Sequence, residues 1–294
     1  MNARPPSEIL HWRWPLLLIL VLAACTSNGG LDLNGVFNTV KTVQQAVKPA
    51  NLQEEEQIGY ATASTLLGAA KPIDNPAVQE YVNKVGLWVA MHSSRPDLPW
   101  HFAVVDSNDI DAFAVPGGYV FVTRGLLLHM RSEAELAGAL GHEISHVVLK
   151  QQLKALQKAA QLDLVGEAAQ VELQQHGQNT QLFNSVANAT RNLYSKGLDK
   201  QDEFEADRMG VVLAARAGYD PYGLVAVLQT LETVDPKSSS MQLLLATHPT
   251  PSARVTRLSA EMTAGHMQRY GHQVEGVERY RQMIAKLVAA PATS

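Results

Sequence analysis

The apolar positions Leu136, Leu140, Ile144, Val147 and Val148 recur at helical intervals behind Ser132-Glu133-Ala134-Glu135, a stretch with the spacing of a capping box. The pattern predicts a helix with one apolar face. Val78, Val82, Val85 and Val89 form a second such stripe behind the start signal Asn75-Pro76. A third, Val36, Val40, Val43 and Val47, stops at Pro49 and is read as an amphipathic helix that packs on the domain or meets a partner. Glu54-Glu55-Glu56 opens another helix, its acids complementing the positive end of the helix dipole. The period changes from Trp100 to Asp106 and from Tyr119 to Arg124, where aromatic and β-branched residues are punctuated by Pro99 and Pro116-Gly117-Gly118. These are strands, with Asp111 to Val115 between them as a short edge strand. Gly117 and Gly118 permit a hairpin turn or a close backbone approach. From Val147 to Lys200 the chain is helical in character but polar, with a helix end or turn at His176-Gly177 and no apolar run long enough to cross a membrane. Asp220-Pro221 and Ser252 cap further helices, and Glu275 to Ala289 is a last one.

Inside the first of these helices lies His142-Glu143-Ile144-Ser145-His146. Histidines four residues apart project from one helix face, one turn above the other, so both imidazoles reach one metal ion. Glu143 then lies near the open side of that ion and accepts a proton from water. A third ligand must come from elsewhere. Glu203 and Asp207, again four apart, share a face of a second helix. Glu203 suits the metal, and Asp207 suits the free ring N–H of a ligating histidine, whose tautomer it would fix. Glu205 competes with Glu203 but faces away from the Asp207 side. Two histidines and one glutamate leave a position for water, the pattern of a catalytic zinc site. A structural site is closed, usually by cysteines, and Cys25 is the single cysteine. The expected cofactor is one Zn2+ per chain, activating water for attack on a carbonyl. His11, His92, His101, His129, His176, His266 and His272 have no partner at ligand spacing and are read as leader, surface or packing residues.

With these residues in place, the chain resembles the M48 zinc metallopeptidases, whose pattern is H-E-x-x-H followed by E-x-x-A-D. The resemblance covers roughly residues 54 to 262, through Asp111 to Gly125, His142 to His146, Glu203 to Gly210 and Thr247 to Arg254, with Asp111 where the family usually has Asn. It implies an α+β, mostly helical, zincin-like (gluzincin) domain with a small β-sheet bordering the active-site cleft, and the activity of a zinc-dependent endopeptidase. It also implies that Ala112, Phe113 and Ala114, with Gly117 and Gly118, receive an extended substrate as an added strand. His248, in Thr247-His248-Pro249, matches a recurrent family motif with Arg254 six residues on. Three roles are open to it: a transition-state hydrogen-bond donor, a reversible fourth zinc ligand that closes the site, or a group that fixes its loop.

A chain of 294 residues with net charge −4 has room for one substantial core and offers no basic stripe to nucleic acid. Arg4, His11 and Arg13 precede the apolar stretch Pro15 to Ala24, too short to span a bilayer and laid out as a secretory signal. The stretch ends in Leu22-Ala23-Ala24-Cys25, which resembles a bacterial lipobox. Cys25 is then the lipidation site, against the alternatives of an ordinary cleaved signal or an uncleaved anchor. Thr26 after it is similar to Gram-negative lipoproteins of the outer membrane, so the protein is expected on the periplasmic side of that membrane, held by its lipid. The expected organisation is a lipoprotein signal peptide over 1–24, a lipidated cysteine, tether and amphipathic helix over 25–53, a peptidase domain over 54–262 and a C-terminal helical tail over 263–294. Family and anchor together imply unfolded or misassembled envelope proteins as substrates, in quality control. The alternatives are a chaperone-like or scaffolding envelope lipoprotein with a mostly closed zinc site, and a zinc hydrolase of non-peptide substrates.

Overall fold

The computed structural model describes residues 51–168, 188–264 and 273–289. The leader, Cys25, the valine stripe over 36–47 and His176-Gly177 lie outside the described residues. Helix α1 (Leu52–Ala69) starts at a complete capping box: the Asn51 side chain accepts the Glu54 N–H and the Glu54 carboxylate accepts the Asn51 N–H, both at 2.9 Å. Glu54 and Glu55 stand in the first turn as the dipole requires, and Glu55 is in addition buried, taking Arg95 in a two-toothed pair at 2.8 and 3.0 Å with Lys150 at 3.1 Å. Arg95 in turn donates to the Val147 carbonyl at 3.1 Å, so the end of the histidine-bearing helix is tied to α1.

Helix α2 (Pro76–Ala90) turns Val78, Val82, Val85 and Val89 inward. Three strands follow: β1 (His101–Val105), β2 (Ala112–Val115) and β3 (Tyr119–Thr123), in the order β1-β3-β2 with β1 parallel and β2 antiparallel to β3. Alternation along the strands divides the sheet between two cores. Val104, Val120, Val122 and Ala114 join α2 and the later helices, whereas Val105, Phe121 and Val115 meet Ala63 of α1. The last strand stops before Arg124, because the Thr123 hydroxyl accepts the Leu126 N–H at 3.1 Å and starts α3 (Arg124–His129).

Helix α4 (Glu133–Val148) is buried from Glu133 through Val147. It packs against α2, β2 and, most closely, α6 (Lys200–Arg216) and α7 (Gly223–Glu232). Only half of its capping box forms: Ser132 accepts the Glu135 N–H at 3.1 Å, but the Glu135 carboxylate accepts from Arg131 N–H at 2.9 Å, one residue ahead of the cap. Helix α5 (Gln151–Ala168) and a helical stretch at 188–196 precede α6. Two start signals also shift. Asp220 accepts the Tyr222 N–H in a turn before α7, and the Thr250 hydroxyl, not Ser252, accepts from Ala253 ahead of α9 (Pro251–Ala264). Between these lies α8 (Ser239–Thr247), and α10 (Val277–Ala289) sets Tyr280, Met283 and Leu287 into the main core. No described helix is long and apolar enough to cross a membrane.

Glu133, at the first position of α4, joins three separate segments. It accepts from the Tyr81 hydroxyl at 2.7 Å, the Tyr219 hydroxyl at 3.0 Å and Arg279 of α10 at 2.6 and 2.9 Å. Burial alone would raise its pKa, but Arg279 and the two tyrosines outweigh that and lower it. A carboxylate with a depressed folded pKa stabilises fully above its unfolded value and loses that contribution as pH falls through the folded one. Glu133→Ala should therefore cost about 1–3 kcal/mol at pH 7, the range for stranding buried hydroxyl groups. Urea unfolding should also find that the variant loses less stability than the parent between about pH 5 and pH 3.

Candidate metal centre

Helix α4 carries His142 and His146 one turn apart, with their Nε2 atoms 3.0 Å from each other. Helix α6 brings Glu203 against them, one carboxylate oxygen 3.6 Å from His142 Nε2 and the other 3.7 Å from His146 Nε2. His248, just past α8, has Nε2 3.6 Å from Glu203 Oε2. One donor atom from each of these four residues lies within 4.8 Å of the other three. Glu203 Oε2 is buried with no hydrogen-bond partner, a state that costs about 1–3 kcal/mol or more for a charged group. Two or three imidazoles and a carboxylate converging on one point, with an unsatisfied oxygen among them, suit a divalent transition-metal ion.

The outer nitrogens of the two rings are held. His142 Nδ1 is 2.9 Å from Asp207 Oδ1, and His146 Nδ1 is 2.6 Å from Gln151 Oε1. With Nδ1–H given away, each ring turns its Nε2 inward. Asp207 is fully buried and gripped by Arg254, whose Nε lies 3.0 and 3.2 Å and Nη2 2.5 Å from its oxygens. Arg254 Nη2 also comes within 3.3 Å of His142 Nδ1. That approach is a contact only, since an Nδ1 that donates to Asp207 has no lone pair left. Gln151 escaped the sequence reading, because it follows the left-handed Lys150 (φ 57) past the helix end, where spacing rules no longer project side chains. Its amide contacts the Asp202 carbonyl at 3.2 Å and the Glu205 carboxylate at 3.4 Å. Glu205 is thereby exposed and outside the donor group.

Burial sets the charges. It drives His146 down to about 3 and His248 to about 4, so both rings are neutral and offer lone pairs. His142 feels the same burial and the Arg254 charge, yet Asp207 and Glu203 outweigh them and raise it to about 9. A positive charge is therefore favoured at the point where the two Nε2 atoms meet. Glu143 sits 3.9 Å from His142 Nε2 and accepts the Ala114 N–H, and burial, with Glu203 adding to it, lifts its carboxyl to about 7. Asp111 accepts from its neighbour Ala112 at 3.0 Å and approaches His248 Nδ1 at 4.0 Å, its pKa also raised by burial.

A cavity of about 340 Å³ opens over these groups, walled by Leu66, Phe113, Leu193, Tyr194 and Leu243 with Glu143, His146, Glu203 and His248 at its base. Ala112 and Phe113 border it. Gly117 and Gly118 do not. Gly117 packs on the start of α1, its N–H 3.4 Å from a Glu55 oxygen, and Gly118 lies under Pro99.

The family profile described as Peptidase family M48 matches residues 76–262, which include every member of the donor group. The chain belongs to peptidase family M48. Over 211 residues it is 30% identical to the Beta-barrel assembly-enhancing protease of Escherichia coli (strain K12), covering 70% of this chain and 43% of that protein. Over 183 residues it is 28% identical to the Mitochondrial metalloendopeptidase OMA1 of Arabidopsis thaliana, covering 62% of this chain and 36% of the relative. The chain thus spans less than half the length of each of these two relatives.

In this M48 chain the distance between the two ligand helices is set by glycine. A Cβ on Gly210 of α6 would stand 2.7 Å from the His142 nitrogen, and one on Gly141 would stand 2.8 Å from the Gly210 carbonyl oxygen. Both neighbours are backbone and cannot swing aside. Gly210→Ala should cost about 1–3 kcal/mol as overpacking. Because Glu203 and Asp207 ride on the same helix, metal affinity, measured by competition with a chelating dye, should fall along with the urea midpoint.

Proposed function

We propose that this protein is a zinc-dependent endopeptidase, with His142, His146 and Glu203 as the ligands and Glu143 as the proton-transfer group. The observation that carries the reading is the buried Glu203 carboxylate, whose partnerless Oε2 faces His142 Nε2 and whose Oε1 faces His146 Nε2, the other nitrogen of each ring being already committed. Zinc, when bound, supplies a Lewis acid that polarises a carbonyl and acidifies water. Glu143 takes the proton of the attacking water and hands it to the leaving amine, a task suited to a carboxyl held at about 7. Asp207, locked by Arg254, keeps His142 in the ligating tautomer. The edge of β2 that does not pair with β3 borders the cavity and is where an extended substrate would add as a strand, which supports a peptide rather than a small ester as the target.

In this reading His248 is the reversible fourth ligand, a role favoured by its inclusion in the same donor group. The same inclusion supports the second reading, a chaperone-like or scaffolding lipoprotein whose site is mostly closed. Lipid attachment at Cys25, the periplasmic side of the outer membrane and unfolded or misassembled envelope proteins as substrates complete the proposal. The name of the Escherichia coli relative, which speaks of β-barrel assembly, is consistent with that setting.

Purified protein loaded with zinc should cleave casein, and a chelator should abolish the cleavage. Glu143→Gln should retain stoichiometric zinc by elemental analysis and lose at least about 100-fold in kcat, the lower range for a general acid–base group. Absence of chelator-sensitive cleavage at every zinc level would leave the scaffolding reading standing. His248→Ala should raise the cleavage rate if the ring closes the site, whereas a steep fall in kcat would make it a transition-state donor.

A further inference from the structure

The edge strand that the proposed reading offers to substrate is already occupied. Thr123 N–H donates to the Asp111 carbonyl directly opposite it, so Asp111, Phe113 and Val115 exchange hydrogen bonds with β3 while Ala112 and Ala114 turn theirs to the free edge. The Ala112 N–H goes to its neighbour Asp111 at 3.0 Å, and the Ala114 N–H to Glu143. The Ala114 carbonyl accepts the Tyr194 hydroxyl at 2.5 Å. Tyr194 thus stands where a pairing substrate strand would donate its own main-chain N–H.

Tyr194 is held there from several sides. Its ring meets Phe113 edge-on at 5.9 Å, Ala189 and Thr190 earlier in the same helical stretch are buried, and the Thr190 hydroxyl lies 3.5 Å from that of Thr62 on α1. At the other end a Cβ on Gly197 would come within 1.8 Å of the Thr247 carbonyl oxygen, so the segment rests directly on the residue before His248.

We propose that Tyr194 is an internal competitor for the substrate main chain, its hydroxyl filling the acceptor at Ala114 until an extended polypeptide displaces it. The inference rests on the endopeptidase reading and adds a selectivity device to it. A chain with unpaired backbone N–H groups replaces the lost hydrogen bond, whereas a folded protein with its backbone already paired does not.

The test is Tyr194→Phe, which keeps the ring against Phe113 and removes only the hydroxyl. With a quenched-fluorescence peptide, KM should fall about 3- to 10-fold, the range one neutral hydrogen bond supplies, with kcat little changed. By fluorescence anisotropy a labelled extended peptide should bind the zinc-loaded double variant Glu143→Gln, Tyr194→Phe tighter than Glu143→Gln alone by a similar factor. Unchanged KM and unchanged peptide binding would overturn the proposal. So would a fall in kcat at constant KM, which would make the hydroxyl a donor to the reacting carbonyl. The binding arm needs no turnover. Failure of the parent protein to cleave peptide sinks the endopeptidase reading, and equal peptide binding by the two variants sinks this one.

Discussion

Glu203 and Asp207 lie one turn apart on α6, both withdrawn from water, against two imidazoles of α4. Ionised carboxylates are removed from water only when other charges or hydrogen bonds replace the lost hydration. Asp207 obtains both from Arg254 and the His142 ring. Glu203 obtains charge from the histidines, but its Oε2 has no hydrogen-bond partner. Much of the surrounding architecture follows from this pair. The helices must approach until Gly141 and Gly210 touch, α9 must deliver a buried arginine, and the chain past α4 must break sharply so that Gln151 can reach back to His146.

Four carboxyl groups crowd the same small volume, and their surroundings divide them by function. Asp207 is held well below the usual carboxylate range by Arg254 and His142 despite its burial, and remains a fixed negative charge. Glu203, also lowered against burial by the nearby imidazoles, is a fixed charge aimed at the metal position. Glu143 and Asp111 face burial and negative neighbours with less compensation, and are pushed up. Only Glu143 among them combines a value near neutrality with a position at the base of the cavity beside His142. A group that must both accept and release a proton within one turnover needs that combination, and the fixed charges beside it help to create it.

The helices, the three strands near the cleft and the four-residue spacings were legible in the sequence because each depends on a period or a cap within a few residues. The motif histidines, Glu203 and Asp207 needed nothing more than that spacing. The buried pairing of Glu55 was not legible, since three acids at a helix start look alike until Arg95 and Lys150, far along the chain, select one of them. For Gly117 and Gly118 the family resemblance implies substrate contact and the residues themselves imply a turn. The turn instead carries them around to α1 and Pro99, away from the cavity. Gln151 and Tyr194 belong to segments without an apolar period or a recognisable motif, and their placement is decided wholly by tertiary packing.

His248 and Tyr194 close the cleft from two sides, one at the metal position and one at the edge strand, and the two are mechanically close. Gly197, three residues after Tyr194, packs so near the Thr247 carbonyl that a Cβ there would overlap it, and the Thr247 hydroxyl bonds His248 Nδ1 at 2.9 Å. Close packing at that point links the segment around Tyr194 to the residue before His248. In the proposed reading, an extended chain seated on β2 displaces Tyr194 and so acts on a segment packed beside His248. A ligand that binds only the displaced arrangement shifts the population by its differential affinity alone. Main-chain pairing along β2 is the part of a substrate that has this property, because it is impossible while Tyr194 remains on the Ala114 carbonyl.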